Sequence, residues 1–292
     1  MTASRHGFVE VDGHRVFYRE AGRETAPKVL LLHGFPASSH TFRHLMPALA
    51  ARYHVIAPDM PGFGLTEMKS APAFQYTFDN LAQVIDAFTV AKGFDRYAVY
   101  VFDFGAPVGW RLAMAHPERI TAIVSQNGNA YEEGLSPGWG PLRAYWANPT
   151  PETRDGARFT LKPETTRWQY LEGVKEPARV APEAWLLDQY FLDLPGRDES
   201  QLDLALDYRS NVAAYPRVHA YFREHQPPLL AVWGAGDPFF VPAGALAFQR
   251  DLPKAEIHLL PEAGHFALES HGDEIAAKML DFLDRQPGAP TT

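Results

Sequence analysis

Short, unbroken apolar runs recur along the chain at Lys28–Leu32, 53–57, 99–102, 120–125, 229–233 and 257–260. Runs of this length, bounded by Gly, Pro and Asp, predict strands buried on both faces, as in a parallel sheet. Between them the apolar period changes to the helical one. Residues 40–51, 79–92, 106–115, 243–250 and 274–283 carry it, with Leu81, Val84, Ile85 and Phe88 on one face of the second. Near the start, 8–11 and 16–20 alternate apolar and polar side chains around Asp12-Gly13, the signature of a hairpin. Strands alternating with helices predict an α/β chain, with a mostly parallel sheet covered by helices on both faces.

One stretch breaks the alternation. From 131 to 217 the sequence is rich in Trp, Tyr, Pro and charge, reads as short helices and contains no clear strand. This predicts a helical cap, 131–217, inserted into a core made of 1–130 and 218–292. No internal repeat or low-complexity segment interrupts either part, and 288–292 reads as a frayed tail.

Composition narrows the classes. With 292 residues, 46% hydrophobic, the chain can bury a large core. The formal net charge of −8 argues against nucleic acid and anionic membrane surfaces as partners. There is no Cys, so disulfides, thiolate metal sites and a Cys nucleophile are excluded. The histidines lack metal-ligand spacing, so no metal and no cofactor are expected. Residues 1–7 lack an apolar core of the secretory type, and no run of about 18 apolar residues predicts a membrane span. The expected location is the cytoplasm.

The candidate chemistry sits at predicted strand ends. Val99-Tyr100-Val101-Phe102-Asp103-Phe104-Gly105 is a strand that stops on a carboxylate and turns at once into a helix. A carboxylate is a poor nucleophile toward carbonyl carbon, but it can displace a leaving group from saturated carbon and form an ester of its own side chain. Such an ester needs an activated water, a group to orient the activator, and donors for the oxyanion. Asp237, in Trp233-Gly234-Ala235-Gly236-Asp237-Pro238, follows one late strand, and His265, in Pro261-Glu262-Ala263-Gly264-His265-Phe266, follows the next. Their separation fits one helix plus one strand, which returns both loops to the same sheet edge. The loop His33-Gly34-Phe35-Pro36 follows the first buried run, so the Phe35 and Phe104 N–H groups are the candidate oxyanion donors. Open parallel sheets bind ligands at this edge. Taken singly, Asp103 reads as a strand-end cap and Asp237 as a turn residue; the set is what points to catalysis. Ser38, Ser39 and Ser125 lack a Gly-x-Ser-x-Gly frame, His33 and Asp59 read as loop-shaping residues, and His116 reads as a helix-end residue.

These stretches, together with Asp59-Met60-Pro61-Gly62-Phe63-Gly64, resemble the α/β-hydrolase superfamily across nearly the whole chain. The order nucleophile, acid, His is that superfamily's order. Within it the sequence resembles the aspartate-nucleophile branch, the epoxide hydrolases and haloalkane dehalogenases. The resemblance implies an α/β-hydrolase fold, a catalytic set of Asp103, Asp237 and His265, and a small apolar substrate with water as co-substrate. Dehalogenases of this branch place a Trp after the nucleophile to hold the halide, and many use an Asn in the early His-Gly loop; this chain has Phe104 and Phe35. Epoxide hydrolases use cap tyrosines on the ring oxygen. Here Trp168-Gln169-Tyr170 and Asp207-Tyr208-Arg209-Ser210-Asn211 resemble those surroundings. The resemblance therefore implies Tyr170 and Tyr208 as oxygen donors and Trp168 as part of the substrate wall. Carbon–halogen hydrolysis, with halide on Trp146 or Trp168, stays open, as does a non-catalytic ligand receptor on the same fold.

Overall fold

The computed structural model describes residues 4–69, 73–286 and 289. The tail expected at 288–292 lies outside the described residues except for Ala289, as do the first three residues. Strands β1 (Arg5–Val11) and β2 (His14–Ala21) form the N-terminal hairpin. Asp12 and Gly13 close it with φ of 51° and 82°, the left-handed pair that a two-residue hairpin turn needs. Strands β3 (Lys28–Leu32), β4 (His54–Pro58), β5 (Tyr97–Phe102), β6 (Ile120–Gln126), β7 (Leu229–Gly234) and β8 (Glu256–Leu260) complete one sheet in the order β1-β2-β4-β3-β5-β6-β7-β8. β2 runs antiparallel to both its neighbours, and every pair from β4 through β3 to β8 is parallel.

Alternation along β5 explains the two-sided core. Val99 and Val101 face one apolar cluster, and Tyr100 and Phe102 face the other. The first cluster is closed by Phe88 of α2 (Phe78–Ala91) and Trp110 of α3 (Gly105–Ala115). The second is closed by Met46 of the short helix α1 (Leu45–Leu49), which precedes both in the chain. Residues 40–51 were expected to be one helix. Instead a tight 3₁₀ turn at Ser39–Phe42 precedes α1, and Pro47, which has no N–H to give, sits inside its single turn.

Between β6 and β7 the chain forms α4 (Gly140–Ala147), α5 (Pro151–Ala157), α6 (Pro163–Leu171), α7 (Pro182–Leu192) and α8 (Arg197–His225), and no strand among the described residues. α8 is one helix through Pro216, so the boundary expected at 217 falls inside it. Phe222, near its end, packs in the core cluster beside Trp110. Two helices close the fold: α9 (Pro242–Asp251) on the first face and α10 (Ala267–Asp284) on the second. α10 starts before the amphipathic stretch at 274–283, because the turn ahead of a kink at His271 is also helical.

The consequence for function is positional. β3, β5, β6, β7 and β8 lie side by side and parallel, so the residues after their C-terminal ends converge on one edge. The helical segment between β6 and β7 contributes the other wall of the cavity at that edge.

Candidate active site

Asp103 leaves β5 with φ of 47°, a left-handed conformation unusual for a residue with a side chain. Phe104 is already right-handed helical, and α3 begins at Gly105. The turn is possible because Gly105 has no side chain: a Cβ there would lie 2.4 Å from the Leu32 carbonyl oxygen and 2.6 Å from that of His33. The elbow lifts the carboxylate off the sheet and sets it at the N-terminus of an eleven-residue helix, where partial positive charge favours an anion.

The loop after β3 comes down on this carboxylate. A Cβ on Gly34 would lie 2.3 Å from the Asp103 Cβ, so only glycine permits the approach. The Phe35 N–H donates to Asp103 Oδ1 at 2.5 Å, and the Phe104 N–H also favours the charged form. His33 and Asp59 shape the surroundings. His33 Nε2 accepts from the Met60 N–H at 3.0 Å, and Asp59 accepts from the Ser39 and Leu65 N–H groups at 2.7 and 2.8 Å.

Across the cavity, His265 Nδ1 lies 2.6 Å from Asp237 Oδ2, and its Nε2 lies 3.8 Å from Asp103 Oδ2. A carboxylate only accepts, so Nδ1 carries a proton, and in the neutral imidazole Nε2 presents its lone pair toward Asp103. Asp237 Oδ1 accepts from the Phe239 and Phe240 N–H groups at 2.7 and 3.0 Å, and Asn127 Nδ2 donates to Oδ2 at 2.7 Å. Asn127 is a residue of this site that the sequence reading missed. It stands just after β6 with φ of 47°, and its Oδ1 accepts from the Gly234 N–H at 2.9 Å, tying the Asp237 loop to the neighbouring strand. The signal was present: Asn, which tolerates left-handed backbone, one residue past an apolar run.

The electrostatics fit a poised pair. Burial pushes the Asp103 carboxyl from 3.8 up to about 6, against the His265 imidazole and the two N–H donors, which favour the charge. For His265, burial disfavours the imidazolium, but the Asp237 carboxylate and its hydrogen bond prevail and raise the pKa. The cavity above them has a volume of about 140 Å³, small beside the usual range for drug-sized ligands. Its walls include Asp103, His265, Phe35, Phe104, Trp139, Phe159, Trp168, Gln169 and Phe239.

The structure does not bring the two tyrosines to this cavity together. Tyr170 is a correction. Its hydroxyl donates to Asp188 Oδ2 at 2.5 Å, and its ring stacks on Phe266 at 3.7 Å, away from the cavity wall. A phenol buried in an apolar interface needs a partner for its proton, and Asp188, 18 residues on in α7, supplies one. Tyr208 stands directly behind the wall. Its ring packs 5.6 Å from Phe104 and 4.5 Å from Trp139, and its hydroxyl neighbours that of Tyr215. Burial raises its pKa well above the usual phenol value; the Tyr215 phenol and the Asp103 carboxylate add to the rise. Trp146 spends its indole N–H on the Ala205 carbonyl at 2.7 Å, whereas Trp168 lies on the cavity wall.

A buried carboxylate carries a stability cost whose pH window is fixed. Between 3.8 and about 6 the folded chain holds a proton on Asp103 that the unfolded chain has lost, so stability falls as pH rises through that window, and the full cost is present above it. Asp103→Asn is therefore expected to raise the unfolding midpoint at pH 7.5, by on the order of 3 kcal/mol for a shift of about two units. The gain should vanish below about pH 4, where both states of the wild type are protonated. Urea titrations at the two pH values check this; a variant no more stable than wild type at pH 7.5 contradicts it.

Residues 27–272 match the alpha/beta hydrolase fold family. The chain is 41% identical over 276 residues to the uncharacterized hydrolase YNR064C of Saccharomyces cerevisiae, covering 93% of this chain and 94% of that protein. It is 28% identical over 279 residues to haloalkane dehalogenase 2 of Mycobacterium tuberculosis, covering 91% of each. Among solved structures, Cfl2 from Burkholderia cenocepacia superposes with a TM-score of 0.80 at 22% identity, covering 96% of this chain and 95% of that one. Epoxide hydrolase VrEH1 from Vigna radiata superposes with a TM-score of 0.74 at 22% identity, covering 97% and 98%. At these identities the structural likenesses show the fold. With a family match that spans most of its length and a sheet, elbow and strand-end loops of the corresponding kind, this chain belongs to the α/β-hydrolase family.

Proposed function

We propose that the chain hydrolyses an epoxide to a vicinal diol through a covalent ester on Asp103, with the helical segment between β6 and β7 acting as a cap. The observation that carries this reading is the separation of two carboxylates by role. Asp103 is clasped by N–H donors at the elbow, and Asp237 is bound to the imidazole that faces it. Asp103 Oδ2, the oxygen that faces His265, attacks a ring carbon. Oδ1 already rests on the Phe35 N–H, so it becomes the carbonyl oxygen of the ester without reorganisation. The 3.8 Å gap between His265 Nε2 and Asp103 Oδ2 is too long for a direct hydrogen bond and leaves His265 free to take a proton from water. That water attacks the ester carbonyl carbon. The resulting oxyanion is met by the Phe35 and Phe104 N–H groups; it collapses to the Asp103 carboxylate as the imidazolium returns its proton to the departing oxygen, and the diol leaves.

Ring opening leaves an alkoxide that needs a proton. Tyr170 has committed its proton to Asp188 and is withdrawn as a donor. Tyr208 is the remaining phenol; it lies behind the Phe104 and Trp139 wall with its hydroxyl bonded to Tyr215, and it serves as the donor by turning that hydroxyl toward the ring oxygen. Halide release is the second reading. It is favoured by the 28% identity to a haloalkane dehalogenase along 91% of the chain and by the Trp168 indole on the cavity wall.

One variant tests the covalent step and the leaving group together. In His265→Gln, ester formation should persist while its hydrolysis fails. Intact mass after styrene oxide should then show an adduct equal to the whole substrate, whereas a bromoalkane adduct would lack the elements of HBr. No adduct with either class would remove the two-step scheme. Tyr208→Phe should slow epoxide turnover by roughly 10²–10³, the effect of losing one donor in a dry site. Residual bromide release should be nearly unchanged, since halide needs no proton. Epoxide opening at the wild-type rate in this variant would remove Tyr208 from the mechanism.

A further inference from the structure

Gln169 is a polar side chain with no hydrogen-bond partner among the described residues. It lies on α6 between Trp168 on the cavity wall and the buried Tyr170, it is 3% exposed, and it lines the cavity above Asp103. Its carboxamide has no hydrogen-bond partner among the described residues, and neither of its polar atoms is sealed inside the protein. With so little outer exposure, the carboxamide opens onto the cavity.

Of the other polar groups of the wall, Gln201 Oε1 and the Trp168 indole N–H also have no partner among the described residues, and each offers only an acceptor or only a donor; the rest are engaged. Gln201 Nε2 donates to the Gly62 carbonyl at 2.9 Å, the Thr160 hydroxyl to Ala157 at 2.9 Å, and the Trp139 indole to Phe239 at 3.1 Å. Gln169 therefore brings an unused donor and an unused acceptor into a small, mostly apolar chamber that also holds the nucleophile.

We infer that Gln169 sets substrate specificity: the electrophile carries a hydroxyl, or another group that both gives and takes a hydrogen bond, next to its reactive carbon. The reason is the asymmetry of desolvation. An apolar substrate that fills the cavity strips water from the carboxamide and returns nothing, while a hydroxylated one restores the bonds. This narrows the small apolar substrate that the resemblance implies. It rests on the aspartyl-ester reading for the position of the reacting carbon.

Glycidol and 1,2-epoxybutane differ by a hydroxyl in place of a methyl and form a matched pair; 3-bromopropan-1-ol and 1-bromobutane form a second. Wild type should favour the hydroxylated member by about 10–100-fold in kcat/KM, a range below that of sites built wholly around a substrate hydroxyl. In Gln169→Met, which keeps the length and loses the amide, that ratio should fall to near one. The fall should come from the hydroxylated member, with the apolar one unchanged or faster. A wild type with no preference, or a Gln169→Met protein that keeps it, overturns the inference. Binding separates this from the proposed reaction: tryptophan fluorescence titrations of Asp103→Asn, with and without Gln169→Met, measure the same preference without turnover. A binding preference lost with Gln169, in a protein that turns over neither pair, would retain Gln169 as the selector and remove the proposed chemistry. Turnover of both pairs with no Gln169-dependent preference would do the reverse.

Discussion

The contact between the Phe35 N–H and the Asp103 carboxylate is the constraint on which the site depends. It requires a carboxylate to be buried, a non-glycine residue to hold left-handed backbone, and two glycines, Gly34 and Gly105, to let the loop after β3 and the elbow after β5 approach more closely than any side chain would allow. None of this favours folding by itself. It is sustained by the rigid apolar sheet beneath, where β3, β5, β6 and β7 are almost wholly buried and fix the loops that follow them. The same burial that destabilises the ionised carboxylate also excludes the water that would otherwise blunt its charge.

Asp237 and His265 are held in the opposite manner. Four donors converge on Asp237, and aromatic rings crowd His265, with Phe102 at 4.8 Å and Phe266 at 5.0 Å. The imidazole has little freedom to turn, so its tautomer and direction are set before a substrate arrives. Phe266, on the core side, also stacks on Tyr170 of α6, whose proton goes to Asp188. The helical segment is thus fastened to the core immediately beside His265. Tyr170 belongs to that fastening.

The core and its site loops were legible because a buried parallel strand writes itself as an unbroken apolar run, and a polar residue at the end of such a run is conspicuous. Asp103, Asp237, His265 and the Phe35 loop all carry that mark. The helical segment carries no comparable mark. Except for α8, its helices are short and each begins near a proline, so spacing could not say whether Trp168, Gln169 or Tyr170 faced the cavity. Tyr170 was misplaced because its partner, Asp188, sits on another helix. Gln169 was missed because an amide beside two aromatic residues looks like surface. Pro47, which shortens α1, was visible but outweighed by the helical period around it.

The central claim is that Asp103 is a nucleophile and that water attacks its ester. The most direct measurement is a single turnover in heavy-oxygen water, with excess enzyme over styrene oxide, followed by mass analysis of the peptide containing Asp103. The expected result is label in the Asp103 carboxylate and an unlabelled diol. Label entering the diol directly, with none in Asp103, would contradict it: His265 would then be activating water against the substrate itself, and the Asp103 carboxylate would serve only as a charge.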